Sequence, residues 1–104
     1  MIDLTHEDYY QKITRNNATC CVEIRADWSG DCFLMEAILQ QMETEFAERI
    51  QFVQVNVGAE PKIAKEYGVT ELPMLLLFKK GELVECMVGL QSKTQLRSHL
   101  KKIS

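Results

Sequence analysis

Ala26-Asp27-Trp28-Ser29-Gly30-Asp31-Cys32 is the stretch on which the reading of this chain turns. Residues 20–26 ahead of it alternate and are partly β-branched, while the residues behind it place apolar side chains at helical spacing. A strand that turns into a helix with a Cys-x-x-Cys pair at the turn is a dithiol redox arrangement. Here Trp28, Gly30 and Cys32 stand, but Ser29 holds the place of the first cysteine. That place supplies the attacking thiolate, and a serine hydroxyl is scarcely ionised at neutral pH and forms no disulfide. Ser is among the best helix N-caps, and the helix dipole favours Asp31 in the first turn. The segment is therefore a good helix start and a poor nucleophilic site.

Outward from this turn, residues 2–4 suffice only for an edge strand, and Thr5 caps a helix over residues 5–16 with Glu7 and Asp8 in its first turn. Cys20, Val22 and Ile24 share one face of a central strand. Residues 29–48 form the longest helix, with Leu34, Ala37, Ile38, Met42 and Phe46 as its apolar stripe. Residues 51–57 form a second strand. Residues 58–67 form a shorter helix with Pro61 near its start and Gly68 as a left-handed cap. Met74-Leu75-Leu76-Leu77-Phe78 is a strand buried on both faces, and Lys79-Lys80-Gly81-Glu82 turns into residues 83–88. Ser92 and Gln95 form a capping box for the last helix. The order β-α-β-α-β-α-β-β-α predicts an α/β domain over residues 1–104, a mixed sheet with helices on both faces.

The 104 residues allow one core, and 46% apolar with 26% charged residues describe a globular protein. A net charge of −3 gives no reason to expect nucleic acid or an anionic membrane as partner. No apolar run approaches the roughly 18 residues of a membrane span. Four cysteines without a secretory leader point to a reducing compartment, with the cytoplasm as the expectation.

Almost the whole chain resembles the thioredoxin family. The resemblance is carried by Asp27-Trp28, Gly30 and Cys32, Tyr67-Gly68-Val69, Leu72-Pro73, the run from Leu75 to Glu82, and Val88-Gly89, in family order and spacing. It implies a thioredoxin fold, a central mixed sheet of about five strands flanked by four helices. It also implies thiol–disulfide exchange with protein or peptide substrates, a reductase as a further partner, a monomer, and no cofactor or metal. The departures are Ser29 at the nucleophile position and Ala37, where the family often has a helix-kinking proline.

The resemblance makes Cys32 the more buried, resolving thiol. Asp31 beside it places a negative charge where a thiolate would form. Cys32 is then either a packed thiol or a single-thiol site of the kind peroxiredoxin-like members of the superfamily use. Glu23 aligns with the family's buried aspartate, held to relay a proton for the second cysteine; alternatively it is an edge-exposed strand residue. Trp28, Gly30, Leu72, Pro73, Met74, Gly89 and Leu90 match the family's substrate-binding rim, with Leu72-Pro73 as a cis peptide. That rim docks an extended peptide. His6 and His99 lie on flanking helices as surface residues. Cys20 and Cys21 begin a strand whose five residues span about 17 Å, too far for the roughly 7 Å of a disulfide to Cys32. Cys86 is expected to point inward with Val84 and Val88, so all three cysteines read as buried apolar residues.

Three functions follow. The first is a single-thiol or substrate-binding module with an incomplete dithiol. The second is an ordinary disulfide reductase whose nucleophile, cysteine or selenocysteine, was exchanged for Ser29. The third is a non-redox adaptor that holds a partner by its apolar rim.

Overall fold

The computed structural model describes residues 2–3, 17–59 and 61–104. Five strands form one mixed sheet: β1 (Ile2–Asp3), β2 (Cys20–Arg25), β3 (Gln51–Asn56), β4 (Met74–Lys79) and β5 (Glu82–Val88), in the order β1-β3-β2-β4-β5. β3 runs parallel to both β1 and β2, whereas β4 lies antiparallel to β2 and β5. Three helices are described: α1 (Gly30–Glu45), α2 (Pro61–Glu66) and α3 (Lys93–Ile103). The helix expected over residues 5–16, its Thr5 cap and His6 lie outside the described residues.

β2 and β4 sit inside the sheet, so their side chains are buried on both faces. Alternate residues divide between two apolar layers. Cys21, Leu75 and Leu77 pack with α1 and α3, while Cys20, Val22, Ile24, Met74, Leu76 and Phe78 face the layer that holds Val57, Tyr67, Val69 and Leu72. This explains the unbroken apolar run of β4.

The buried stripe of α1 is not the expected one. It consists of Cys32, Met35, Leu39 and Met42, extended by the C-cap Phe46, whereas Leu34 is 57% exposed, Ala37 is exposed and Ile38 is half-buried. Two neighbouring stripes of this helix are apolar, and periodicity alone does not choose between them. The Ser29 cap sets Cys32 down on the sheet, and each buried residue then follows at steps of three or four. The helix closes earlier than expected, where the Phe46 N–H bonds to the Met42 carbonyl at 2.9 Å.

β5 corrects the second expectation. Met87 is its core residue at 6% exposure, while Cys86 is exposed and Val84 and Val88 are 52% and 47% exposed. Lys80 and Gly81, with φ of 51° and 84°, make a two-residue turn that pairs Lys79 with Glu82 and Phe78 with Leu83. Continued unbroken, that register would set Cys86 opposite Leu75, facing α1 and α3. Instead Leu77 pairs with Glu85 and Leu75 with Met87, so Val84 is an extra residue in a bulge. The bulge flips every residue beyond it to the opposite face.

α3 carries the capping box as expected: Gln95 N–H donates to Ser92 Oγ at 3.1 Å, and Ser92 N–H to Gln95 Oε1 at 3.4 Å. Leu96, Leu100 and Ile103 seat it on the sheet. Arg97 Nε meets Glu45 Oε2 at 2.8 Å, tying α3 to the C-terminal end of α1. His99, expected at the surface, is half-buried, with Nδ1 2.6 Å from Glu85 Oε2 on β5.

Candidate active site and docking groove

The parallel strands β2 and β3 end on one side of the sheet, and there the chain passes through Asp27-Trp28 into α1. Ser29 takes extended backbone angles (φ −92°, ψ 119°) and caps the helix, its Oγ accepting from the Cys32 N–H at 3.3 Å. The Ser29 N–H donates to the Ala26 carbonyl at 3.2 Å, which fixes the turn. Ser29 is half-buried, and Cys32, under the first turn, is 0% exposed. The hydroxyl therefore stands at the mouth of the site with the remaining sulfur covered behind it. Gly30 has open space where a Cβ would sit, so sterics do not require a glycine there.

A second segment completes the site. Leu72-Pro73 is a cis peptide, and the Pro73 carbonyl accepts from the Gly89 N–H at 2.8 Å. Gly89, at φ 82°, adopts the left-handed backbone that favours glycine, which lets the loop after β5 close against the proline. Between these segments and α1 lies a groove of about 340 Å³ lined by Trp28, Ser29, Val57, Val69, Thr70 and Leu72. Trp28 is 78% exposed beside it, while Pro73, Met74 and Gly89 are buried and form its support. Gly30 and Leu90 are exposed and do not line it. Sequence reasoning missed Val57, Val69 and Thr70. Val69 belonged to a quoted motif, and its place next to the Leu72-Pro73 loop was the available signal.

Glu23 is buried, not at an edge: its exposure is 1%, since β2 lies between β3 and β4. It shares the β2 face of Cys21, over which α1 packs. Among the described residues neither carboxylate oxygen has a hydrogen-bond partner. Arg25 Nε approaches to 3.7 Å from Oε1, and the same guanidinium reaches Asp27 Oδ1 at 3.3 Å through another nitrogen. Burial pushes the Glu23 carboxyl up to about 7; Arg25 pulls it down and Glu36 pushes it up. Glu36 is one turn beyond Cys32 on the same helix face. Glu23 thus lies beneath the first turns of α1 as an acid that is neutral over part of the physiological range.

The four cysteines are free. Cys20 and Cys21 are buried at the far end of β2, as expected; burial pushes the Cys20 thiol up to about 12 and raises Cys21 as well. Cys86 projects from the outer part of β5, opposite Leu76, and partial burial beside Glu85 raises its pKa. Among the described residues no cluster of three or more His, Cys, Asp or Glu could hold a metal ion. Among them too, no helix is long and apolar enough to cross a membrane.

The sequence profile of the Thioredoxin family matches residues 1–102. The chain belongs to the thioredoxin family. It is 32% identical over 99 residues to the thioredoxin of Pyropia yezoensis, an overlap of 95% of this chain and 92% of the relative. Thioredoxin 1 of Synechococcus elongatus is 27% identical over the same shares, and the thioredoxin of Rickettsia prowazekii 26% over 96% and 95%. The sheet order, the turn into α1 and the cis Leu72-Pro73 peptide are thus those of a thioredoxin-family thiol–disulfide oxidoreductase, with Ser29 standing first in its Ser-Gly-Asp-Cys turn.

Proposed function

We propose that this thioredoxin-family protein binds extended segments of thiol- or disulfide-bearing proteins in the groove beside Ser29 and does not complete a dithiol cycle alone. One observation carries the reading: the Ser29 hydroxyl is committed to capping α1 while Cys32 is fully covered. In a dithiol cycle an exposed thiolate attacks a substrate disulfide, and a second thiol then attacks the mixed disulfide and releases the reduced substrate. With Ser29 in the first place, Cys32 would have to make the first attack from a buried position. Cys20 and Cys21 at the far end of β2 and Cys86 on β5 offer no resolving thiol. The apolar groove and the Pro73–Gly89 clasp are complete without a nucleophile, so docking survives its loss.

Glu23 supports a second reading, in which Ser29 stands in a site otherwise equipped for reduction. An unpartnered carboxyl under the helix start, with its pKa near neutrality, suits proton exchange with a thiol at that helix. A thiol-driven insulin reduction assay on the chain and on Ser29→Cys separates the readings. The docking reading expects no turnover from the chain itself, and turnover gained only by Ser29→Cys brings the second reading forward. Turnover by the chain as it stands, abolished by Cys32→Ser, would establish a single-thiol catalyst and overturn the proposal.

A further inference from the structure

We infer that the segment taken by this groove is cationic: an apolar residue seated between Trp28 and Leu72, with lysines or arginines flanking it. The inference rests on the docking reading above and adds the chemistry of the occupant. The lining is largely apolar, and the first turns of α1 after Ser29 also expose apolar side chains, Phe33 at 73% and Leu34 at 57%. The border is acidic. Asp27 adjoins Trp28, Asp31 follows two residues after Ser29, and Glu71 stands between Thr70 and Leu72; all three are exposed. No lysine or arginine occurs within two residues of any lining residue.

Arg25 and the cations of α3 are engaged elsewhere, and Lys62 and Lys65 on α2 are exposed but lie outside the lining. Arg25 is engaged with Glu23 and Asp27 and is 18% exposed. Lys93, Arg97 and Lys101 recur one turn apart on α3 and all act on Glu45, at the end of α1 farthest from the groove. Among the described residues no ion pair engages Asp31 or Glu71. Two exposed carboxylates without an ion pair among the described residues, one just after Ser29 and one between Thr70 and Leu72, repel an acidic segment and attract a basic one, and such rim charges set partner choice more than raw affinity. Exposed pairs are individually weak, so two or three of them make a preference of about tenfold at low salt.

Trp28 is the chain's one tryptophan, so its emission reports occupancy of the groove directly. The test titrates two tryptophan-free peptides that share an apolar core with serine in place of cysteine, one flanked by lysines and the other by glutamates. The lysine-flanked peptide is expected to bind about tenfold more tightly at low ionic strength, with the advantage shrinking as salt rises. An Asp31→Asn, Glu71→Gln double variant, its fold checked by circular dichroism, is expected to remove most of that advantage. Equal affinities, or tighter binding of the glutamate peptide, would overturn the cationic specificity and leave the docking reading standing. Failure of both peptides to saturate would overturn the docking reading, and this inference with it.

Discussion

Replacing Glu23 with glutamine should change how stability depends on pH. In the folded protein this carboxyl titrates near 7 against an ordinary value of 4.5, chiefly because burial disfavours its charge. The folded state therefore holds the proton more tightly than the unfolded chain. The stabilising contribution is full below 4.5 and is lost as pH rises through 7. At about 1.4 kcal/mol per pH unit between the two values, the loss amounts to about 3 kcal/mol by pH 8, of which less than 1 kcal/mol is already gone at pH 5. Urea unfolding of the protein and of Glu23→Gln at pH 5 and pH 8 measures it. The amide carries its own cost for lacking partners, but that cost is the same at both pH values and cancels from the comparison. The variant is expected to recover about 2–3 kcal/mol relative to the parent between pH 5 and pH 8. Parallel stability profiles for the two proteins would refute the account of Glu23 as a buried acid forced to ionise.

Arg25→Met should move the Glu23 titration above 7, because the guanidinium is what favours the carboxylate there; carboxyl NMR reads the midpoint directly. Alkylation of the native protein should label Cys86 well before the covered Cys20, Cys21 and Cys32, and mass spectrometry of Cys86→Ser should show the fast adduct gone. Ser92→Ala removes the hydroxyl that accepts from the Gln95 N–H in the capping box and should cost about 1 kcal/mol in a thermal melt. Leu39→Ala empties the centre of the α1–sheet layer and should cost about 2–5 kcal/mol in urea unfolding.

Much of the architecture was legible because local signals agreed with one another. The apolar run of β4, the Pro61 start of α2, the turn at Lys80-Gly81 and the Ser92–Gln95 box each specify one conformation with few competitors. What failed depends on long-range facts. The choice between two apolar stripes of α1 is made by how Ser29 and Cys32 meet the sheet, and the orientation of β5 by one extra residue in a bulge. At the site, the Ser29 cap could be read from its residue type, and the cis Leu72-Pro73 peptide from the family resemblance. Glu23 could not, because an acid in a strand is buried or exposed according to which strands flank it. Val57 and Thr70 reach the groove only through the folding of separate segments toward one edge.

The bulge at Val84 bears on association as well as on the core. β5 is the outer strand of the described sheet, and its backbone groups on that side are open to pairing. A straight strand with Leu83, Val84, Cys86 and Val88 showing would be a template for the same strand of another molecule. The extra residue bends the strand and breaks the even spacing of its outward amides and carbonyls, so a second copy laid alongside loses register partway. Deleting Val84 would straighten that margin while leaving Cys86 opposite Leu76 and Met87 opposite Leu75. A single deletion would then leave the interior in place and open the edge of the sheet to edge-to-edge growth into aggregates.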